Sequence, residues 1–442
     1  MDSISLFEVS LPVTDKQFNV RTPKRRAIPA STAEESYPYY AGYAEQFARE
    51  ALESLSRPGA FVFDPWNGAG TTTFCAASLG LRSFGTDLNP VMVVVAKARC
   101  ASSADAAKAR AKVELCISTA TLVADEGDPL LPWIGPEGTA FVRSLANFSL
   151  SNRAGSKAAE TLPSLRSRVS KAPRWSCLLL LAIFRAVKSG AAVVTSSNPT
   201  WTKAPTEPSS WATARDWWNK IAVELTALES INNERATRYG IPLGPSEVRC
   251  ASSESIPLED SMVDVVLTSP PYCTRIDYAV ATLVELAVLG LSSEVVNSTL
   301  RKELLGTTSI RGSAPERVSG WGKTCNELLD NIFEHPSSGS RSYYYKNFAQ
   351  YFDSLYRSMR ELGRIVKSDG VVCVVLQGSH YKELPIDLPA IFVEMAKNNK
   401  LKLTDALSFD VTQHFGNINQ SSRKYRTQSR VTEQVLVFRR GR

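Results

Sequence analysis

Short apolar runs alternate with helical patterns over residues 37–100. The runs at residues 61–63 and 83–86 have the length of buried strands. A helical pattern follows each run, at residues 72–79 and 91–99. Strands that alternate with helices in this way predict a parallel sheet with right-handed crossovers. The pattern therefore predicts the α/β fold class for this part of the chain.

The same pattern resumes over residues 248–442. Residues 264–268 form an apolar run of strand length, and residues 343–367 place their apolar side chains on one face of a helix. A last strand is predicted at residues 435–438, in an antiparallel hairpin with residues 406–411. This second part therefore extends the predicted sheet.

Three further segments complete the predicted organisation. Residues 1–36 are expected to form an irregular N-terminal arm. Residues 101–247 carry alanine-rich and amphipathic stretches, which predict a mostly helical insertion. Residues 307–342 are polar and rich in Gly, Ser and Pro, which predicts a long loop of the kind that is functional or disordered. The insertion separates a first half, residues 37–100, from a second half, residues 248–442.

Composition is ordinary for a globular protein, with 442 residues, 43% of them hydrophobic and 21% charged. The net charge of +7 permits a nucleic-acid partner without requiring one. Eight cysteines without a CxxC pair, and only three histidines, predict no metal site and fit buried thiols in a reducing cytoplasm. Neither a signal peptide nor a run of roughly 18 apolar residues is found. We therefore predict a cytoplasmic protein without a membrane span.

A glycine-rich turn, DPWNGAGTT, follows the first predicted strand at residues 64–72. Gly68 and Gly70 allow the backbone to approach a ligand closely, and the following helix offers free N–H groups. The turn lacks the lysine of a nucleotide phosphate loop, and Thr73 stands where a dinucleotide site has its third glycine. The turn therefore favours neither ATP or GTP hydrolysis nor dinucleotide binding.

Asp87 ends the second predicted strand, 17 residues after Gly70. A carboxylate at that place can accept both hydroxyls of a ribose. The alternative is that Asp87 caps the next helix, which begins near Pro90. The order of strand, glycine turn and acid favours ribose binding.

Residues 268–272, TSPPY, come directly after the buried strand at residues 264–268. Two prolines can neither continue a strand nor enter a helix, so the strand ends abruptly. A serine, two stiff prolines and an aromatic ring therefore lie at the carboxyl end of a strand, where open α/β sheets bind ligands. The alternative is a tight turn without a catalytic role.

Together these segments resemble the motifs of the amino-methylating DNA methyltransferases. FDPWNGAGTTT at residues 63–73 looks like their FDPFxGxGTT motif, GTDLNP at residues 85–90 like their second motif, and VDVVLTSPPY at residues 263–272 like their catalytic motif. The resemblance covers roughly residues 37–100 and 248–440. It departs from the family at Trp66, where Phe is usual, and at Ala251-Ser252-Ser253, where Gly-Asp is frequent.

The resemblance implies a Rossmann-like methyltransferase fold with a mainly parallel sheet and a helical insertion. It implies S-adenosylmethionine as the cofactor, with contacts from Asp64, Pro65, Trp66, Gly68, Gly70, Thr71, Thr72, Asp87 and Asn89. The catalytic residues that it implies are Ser269, Pro270, Pro271 and Tyr272. Ser269 Oγ and the Pro270 carbonyl would accept hydrogen bonds from the target amino group, and Tyr272 would stack on a flipped base. No covalent intermediate is needed, so we expect Cys273 to be structural.

The resemblance also implies a substrate, which is a base in DNA, in duplex form with base flipping. Ser269 at the first position of the tetrapeptide favours cytosine N4 over adenine N6, because the adenine enzymes usually carry Asp there. An adenine-N6 enzyme, an RNA methyltransferase and a non-catalytic nucleic-acid-binding subunit are the alternatives. A partner from a restriction or defence system fits the same resemblance, and the oligomeric state and recognition sequence are left open.

Two basic segments are candidates for nucleic-acid contact. Residues 153–188 carry eight Arg or Lys and one acid, and residues 421–442 carry seven and one. Each is either a phosphate-contacting face or a solvated one. Asp277 and Tyr278 follow the tetrapeptide and either line the same pocket or, through a pair of Arg275 with Asp277, begin the next helix.

Overall fold

The computed structural model describes residues 18–24, 36–37, 42–119, 124–151, 161–191, 194–195, 202–203, 213–239, 243–273, 277–411 and 431–441. Its strands are β1 (Phe61–Asp64), β2 (Arg82–Asp87), β3 (Val194–Thr195), β4 (Thr202–Lys203), β5 (Ser246–Cys250), β6 (Val263–Thr268), β7 (Val366–Gln377), β8 (Ser379–Tyr381), β9 (Leu384–Ile386), β10 (Leu401–Val411) and β11 (Val431–Arg440).

Helices surround the strands. They are α1 (Glu45–Leu55), α2 (Thr71–Ser78), α3 (Pro90–Arg99), α4 (Ser103–Thr119), α5 (Leu131–Ser151), α6 (Leu162–Lys171), α7 (Arg174–Gly190), α8 (Ala214–Tyr239), α9 (Tyr278–Ala281), α10 (Leu283–Val288), α11 (Ser293–Val295), α12 (Arg301–Glu303), α13 (Lys323–Glu334), α14 (Tyr345–Ile365) and α15 (Leu388–Lys397). Short π-helical turns lie at Val296–Leu300 and Ser340–Tyr344, and a 3-10 turn lies at Ser319–Trp321. Within the described ranges, no helix is both long and apolar enough to cross a membrane.

Seven of the described strands form one sheet in the order β10-β11-β7-β6-β1-β2-β5. β1, β2, β5, β6 and β7 run parallel, whereas β11 is antiparallel to both of its neighbours. The predicted antiparallel hairpin of the last two strands is therefore confirmed, as is the mainly parallel sheet. The chain has the predicted α/β class with a Rossmann-like, doubly wound sheet.

Both faces of the sheet are covered, which is why its central strands are apolar along their length. In β1, Phe61 and Phe63 face α13, α14 and α15, whereas Val62 faces α1 and α2 on the other side. All six residues of β6 are buried. The turn after β6 is therefore anchored in the centre of the core.

The helices of the range 101–247 share a core with α3 and α10. α7 lies at its centre, and its four successive leucines, residues 178–181, are buried. Trp217 of α8 fits against two glycines, since a Cβ at Gly138 or Gly190 would lie 2.5 or 2.6 Å from the indole ring. These helices are thus packed against α3 of the first half and α10 of the second half. The domain boundaries stay predictions.

The predicted long loop at residues 307–342 is wrong in one part. It contains the twelve-residue helix α13, which packs against α14 and α15. The sequence of α13 has a helical repeat of buried apolar residues with the spacing i, i+3, i+4 and i+7, namely Cys325, Leu328, Leu329 and Ile332. The polar composition of the surrounding residues led to the prediction of a loop instead.

Three basic side chains of the segment 153–188 are paired with acids inside the protein. The pairs are Arg166–Glu303 at 2.5 Å, Arg185–Glu224 at 2.5 Å and Lys188–Glu285 at 2.8 Å. These three side chains are therefore engaged within the protein, and a phosphate-contacting role for the rest of the segment stays a prediction. Residues 153, 157 and 421–430 lie outside the described residues.

Gly70 offers a test of the packing between α2 and α3. It has φ +80°, and a Cβ there would lie 2.7 Å from the Cβ of Ala96. Gly59 has the similar φ of +77° with no atom within 4 Å of its Cβ position. Gly59→Ala should therefore cost only the backbone strain, about 1–2 kcal/mol of the free energy of unfolding. Gly70→Ala should cost about 1–3 kcal/mol more, because the helices must move apart.

Urea denaturation of both variants and the wild type measures these losses. Equal losses for the two variants would contradict the close helix contact at Gly70.

Candidate active site

A buried carboxylate connects the carboxyl ends of the central strands. Asp64 ends β1 and is 3% exposed. It accepts hydrogen bonds from Thr72 Oγ1 at 2.5 Å, from Thr268 Oγ1 at 2.6 Å and from the Trp66 N–H at 3.1 Å. Its side chain therefore binds the first turn of α2, the end of β6 and the glycine-rich turn to one another.

Burial is the dominant influence on this carboxylate. It raises the pKa of Asp64 to about 6, although the hydrogen bonds from Thr268, Thr72 and Trp66 act in the opposite direction. Tyr43 of the segment before α1 belongs to the same cluster, since its hydroxyl contacts Thr72 Oγ1 and donates to the Leu267 carbonyl at 3.2 Å. Tyr43 was not predicted from the sequence, because a single tyrosine has no local pattern that reveals a contact this distant.

The two glycines of the turn have different local roles. The Gly68 N–H donates to Asp87 Oδ2 at 3.0 Å, which joins the turn to the end of β2. The Gly70 N–H donates to the Asn67 carbonyl at 2.8 Å, and Gly70 lies against Ala96 of α3. Both have positive φ, 47° and 80°. Because Gly70 has no side chain, α2 and α3 can pack closely at this position. The contact of Gly68 and Gly70 with a ligand stays a prediction.

The sequence left open whether Asp87 binds a ribose or caps the next helix, and the structure assigns the cap to Asn89. Asp87 accepts from the Gly68 N–H and, with its other oxygen, from the Asn89 N–H at 2.8 Å. Asn89 is the residue that caps α3, since its Oδ1 accepts from the Val91 N–H at 3.1 Å. The cap interpretation of Asp87 is therefore wrong. Burial raises the pKa of Asp87 to about 6.

Two buried nitrogen atoms of the turn have no hydrogen-bond partner within the described part of the chain. They are Trp66 Nε1 and Asn67 Nδ2. Asn67 fits closely under β2, because a Cβ at Gly85 would lie 2.5 Å from its Cγ. Pro65 is held through its carbonyl, which accepts from Thr86 Oγ1 at 3.2 Å. The turn is thus rigid and keeps donors available in its interior.

Thr71 and Thr72 are engaged inside the protein. Arg99 Nη1 donates to Thr71 Oγ1 at 3.3 Å, and Arg99 also forms a buried ion pair with Glu45 of α1. Thr72 is bonded to Asp64. The two threonines therefore fix α2 against its neighbours, and any contact with a cofactor stays a prediction.

The tetrapeptide directly after β6 is held from several sides. Ser269 Oγ donates to the Tyr272 hydroxyl at 3.1 Å. The Pro271 carbonyl accepts from the Tyr351 hydroxyl of α14 at 2.8 Å. Pro270 is buried, whereas the other three residues are half-buried. The segment is therefore rigid and partly accessible, and Tyr351 is a supporting residue that the sequence did not reveal.

Burial raises the pKa of Tyr278, and the charge of Asp87 acts in the same direction. Burial also raises the pKa of Tyr272, with smaller contributions from Glu433 and Tyr278. Asp277 caps α9 and pairs with Arg301 Nε at 2.7 Å, so it begins that helix as one of the alternatives expected. Its partner is Arg301, and Arg275 lies outside the described residues.

An acid on β11 also lies at the tetrapeptide. Burial raises the pKa of Glu433 to about 7, while the charge of Lys24 and a hydrogen bond with Tyr272 lower it. The signal in the sequence was the single acid among the basic residues 421–442. Cys273 follows the tetrapeptide and is buried, which raises the pKa of its thiol to about 12. A thiol of that pKa fits the expected structural role.

Known proteins resemble this chain only distantly. No protein-family model matches the chain, and no curated protein matches it. A SAM-dependent methyltransferase from Methanosarcina mazei shares 8% identity at a TM-score of 0.31, covering 88% of this chain and 96% of its own. An rRNA methyltransferase from Streptomyces viridochromogenes shares 12% at a TM-score of 0.31, covering 94% of each chain.

The cyclase SpnF shares 12% at a TM-score of 0.22, covering 48% of this chain and 63% of its own. Likenesses this distant carry no inference about the substrate or the activity of this chain.

The raised pKa of Asp64 generates a prediction about stability. The carboxyl has a pKa of about 6 when folded, against 3.8 ordinarily. Between about pH 4 and pH 6 the folded state therefore holds a proton that the unfolded state has released, and the free energy of unfolding falls as the pH rises. In Asp64→Asn this decline should be shallower by about 1.4 kcal/mol per pH unit.

Urea denaturation at several pH values measures the slope for the wild type, for Asp64→Asn and for the exposed control Asp260→Asn. The control should keep the wild-type slope. An Asp64→Asn slope equal to that of the wild type would show that Asp64 is ionised in the folded protein throughout this range.

Proposed function

We propose that this chain is an S-adenosylmethionine-dependent methyltransferase that methylates the exocyclic amino group of a base in DNA, with cytosine N4 favoured. The position of the tetrapeptide carries the proposal. Residues 269–272 leave β6 at the edge where β1 ends at Asp64 and β2 at Asp87. β1 and β6 lie at the switch point of the doubly wound sheet, where such folds bind ligands.

The hydrogen bond between Asp64 and Thr268 supports a shared site. It joins residues 204 positions apart in the sequence and fixes the end of β1, in the first half of the chain, against the end of β6. A methyl donor bound at the glycine turn would therefore face the tetrapeptide directly. The resemblance of both motifs to those of amino-methylating enzymes points in the same direction.

The residues of the turn fit S-adenosylmethionine. Each oxygen of Asp87 accepts one backbone N–H, which leaves acceptor capacity for the ribose hydroxyls. Trp66 Nε1 and Asn67 Nδ2 are buried donors without a partner in the described ranges. When bound, the cofactor supplies an electrophilic methyl group on a sulfonium. Asp87 would hold the ribose and Trp66 would pack on the cofactor.

The tetrapeptide supplies acceptors for the target amino group. The lone pair of such a nitrogen is delocalised into the ring, and hydrogen bonds accepted from its N–H groups favour a tetrahedral nitrogen with an available lone pair. Ser269 donates its own proton to Tyr272, so its lone pairs can face the substrate. The Pro270 carbonyl is the second acceptor that we propose. Tyr351 and the two prolines keep both acceptors in place.

DNA as the partner follows from the resemblance and from the half-buried ring of Tyr272, which would stack on a flipped base. The insertion reaches this edge, because Arg166 Nε of α6 donates to the Leu88 carbonyl at 3.0 Å, next to Asp87. We therefore propose that the insertion takes part in target recognition. A partner from a restriction or defence system remains a proposal based on the resemblance.

Replacing Asp87 tests cofactor binding. Asp87→Asn removes the charge and one of the two acceptors, so the affinity for S-adenosylmethionine should fall about 10- to 100-fold. The wild-type affinity should rise as the pH rises through about 6, because the carboxylate ionises there. Isothermal titration calorimetry of both proteins measures these effects. An unchanged affinity in Asp87→Asn would exclude the assigned role.

Replacing Ser269 tests the catalytic role. Ser269→Ala removes one acceptor for the amino group, so the single-turnover rate of methyl transfer to duplex DNA should fall about 100-fold or more. Its affinity for S-adenosylmethionine should stay at the wild-type value. Ser368→Ala, at an exposed position where β7 begins, is the matched control and should keep the full rate. Wild-type transfer by Ser269→Ala contradicts the proposal.

A further inference from the structure

A short segment that follows α12 lies directly against the tetrapeptide. It comprises residues 304–309 and is called the backing segment below. Gly306 at its centre has φ +78°, and a Cβ there would lie 3.2 Å from the Tyr272 carbonyl oxygen and 3.5 Å from the Cβ of Pro271. A separation of 3.2 Å is below ordinary van der Waals contact, so a neighbour would have to shift by a few tenths of an ångström. A glycine therefore allows the close approach of the backing segment to the tetrapeptide.

One helix holds both the backing segment and the tetrapeptide. Asn347 Nδ2 donates to the Thr307 carbonyl at 2.8 Å, and the Tyr351 hydroxyl donates to the Pro271 carbonyl at 2.8 Å. Asn347 and Tyr351 are buried and lie four residues apart on α14, so they are neighbours on one face of that helix. α14 therefore fixes the distance between the carbonyls of the two segments.

The backing segment is also joined to the residue that begins α9, just after the tetrapeptide. Thr308 Oγ1 donates to Oδ2 of the buried Asp277 at 3.3 Å and accepts from Arg301 Nη2 at 3.2 Å. Arg301 Nη2 also pairs with Asp277 at 2.7 Å. The Thr308 carbonyl accepts from the Tyr343 hydroxyl at 2.8 Å. The side chain and the backbone of Thr308 are thus both held, two residues after Gly306.

The start of the backing segment is anchored as well. Glu303, directly before it, pairs with Arg166 of α6 at 2.5 Å, and Arg166 also donates to the Leu88 carbonyl at 3.0 Å. Leu305 is buried in the core that contains the apolar face of α14. The backing segment therefore cannot move away from the tetrapeptide without the loss of several hydrogen bonds and of buried apolar contact.

We propose that Gly306 is a positioning residue of the active site, which fixes the tetrapeptide through the Tyr272 carbonyl. This inference rests on the proposed function. In that function Ser269 Oγ and the Pro270 carbonyl accept hydrogen bonds from the amino group of the base, and their placement sets the rate of methyl transfer. Gly306 acts through these residues, so it affects the transfer step and leaves cofactor binding unchanged.

The chain offers a matched control for Gly306. Gly312 also has a positive φ, 54°, but no atom of the described residues lies within 4 Å of its Cβ position. An alanine at either glycine meets the strain of the left-handed region. Only at Gly306 does its methyl group also meet the tetrapeptide. A difference between Gly306→Ala and Gly312→Ala therefore reports the contact itself.

The first measurement needs no substrate and observes the Tyr272 carbonyl directly. Tyr272-Cys273 is the one Tyr-Cys pair in the sequence. Protein with carbon-13 in its tyrosine carbonyls and nitrogen-15 in its cysteine amides therefore gives one NMR correlation signal, from this peptide bond. The signal should move in Gly306→Ala and keep its wild-type position in Gly312→Ala. A signal that moves in neither variant, or equally in both, overturns the inference.

Thr308 gives a second test that leaves the glycine in place. Thr308→Val keeps the shape of the side chain but removes the hydroxyl that bonds to Asp277 and Arg301. Thr308→Ser keeps that hydroxyl. The Tyr272 carbonyl signal should move in Thr308→Val and stay near its wild-type position in Thr308→Ser. If Gly306→Ala does not fold, this pair decides, and an unmoved signal in Thr308→Val overturns the inference.

The second measurement is the single-turnover rate of methyl transfer at saturating S-adenosylmethionine and duplex DNA. A misplacement of roughly 1 Å costs about 100-fold in rate, so the smaller shift in Gly306→Ala should cost about tenfold. The affinity of Gly306→Ala for S-adenosylmethionine should equal that of the wild type, and Gly312→Ala should keep the full rate. A merely structural contact would lower the folded fraction alone. A wild-type rate per folded molecule of Gly306→Ala therefore overturns the positioning role.

The two measurements also distinguish this inference from the proposed function. If the wild type transfers no methyl group to DNA, the proposed function fails, and the NMR signal decides about Gly306 alone. A signal that moves in Gly306→Ala but not in Gly312→Ala then supports Gly306 as the residue that fixes the tetrapeptide. A signal that stays in place in both variants overturns that role.

Discussion

The structure depends on one buried carboxylate at the centre of the sheet edge. Asp64 is removed from water, and the hydrogen bonds from Thr72, Thr268 and Trp66 offset the cost of that burial. Because these donors come from α2, β6 and the glycine turn, a single side chain sets the spacing between both candidate motifs.

The sequence predicts the strands and helices whose hydrophobic pattern lies within one short segment. The strands β1 and β6 are recognisable as apolar runs, because both of their faces are buried. The helix α14 is recognisable by its helical repeat of apolar residues, because one of its faces is buried. The sequence of α13 also has a helical repeat of apolar residues, but the polar composition of residues 307–342 favoured a loop instead. Tyr43 acts through contacts with residues far along the chain, and one polar residue forms no pattern. The role of Asp87 required the observation that Asn89 caps α3.

Charge composition was a weaker guide than the hydrophobic pattern. The basic stretch at residues 153–188 was compatible with a phosphate-contacting face and with a solvated one. In the structure, Arg166, Arg185 and Lys188 are each paired with an acid from another element. Such pairs need three-dimensional proximity, which a count of charges does not show. The pairs with Glu303 and Glu285 attach the insertion to the second half of the chain, whereas the pair of Arg185 with Glu224 lies within the insertion. α6 also borders the edge at which Asp87 lies, because Arg166 donates to the Leu88 carbonyl. The insertion is therefore placed beside the candidate site by packing and by internal ion pairs.

The identity of the methylated product tests the account most directly. The protein would be incubated with labelled S-adenosylmethionine and, in parallel, with duplex DNA, single-stranded DNA and RNA. Digestion to nucleosides and mass analysis would then identify the labelled base. The account predicts N4-methylcytosine from duplex DNA. Label in RNA alone, or no label in any nucleic acid from protein that binds the cofactor, would contradict it.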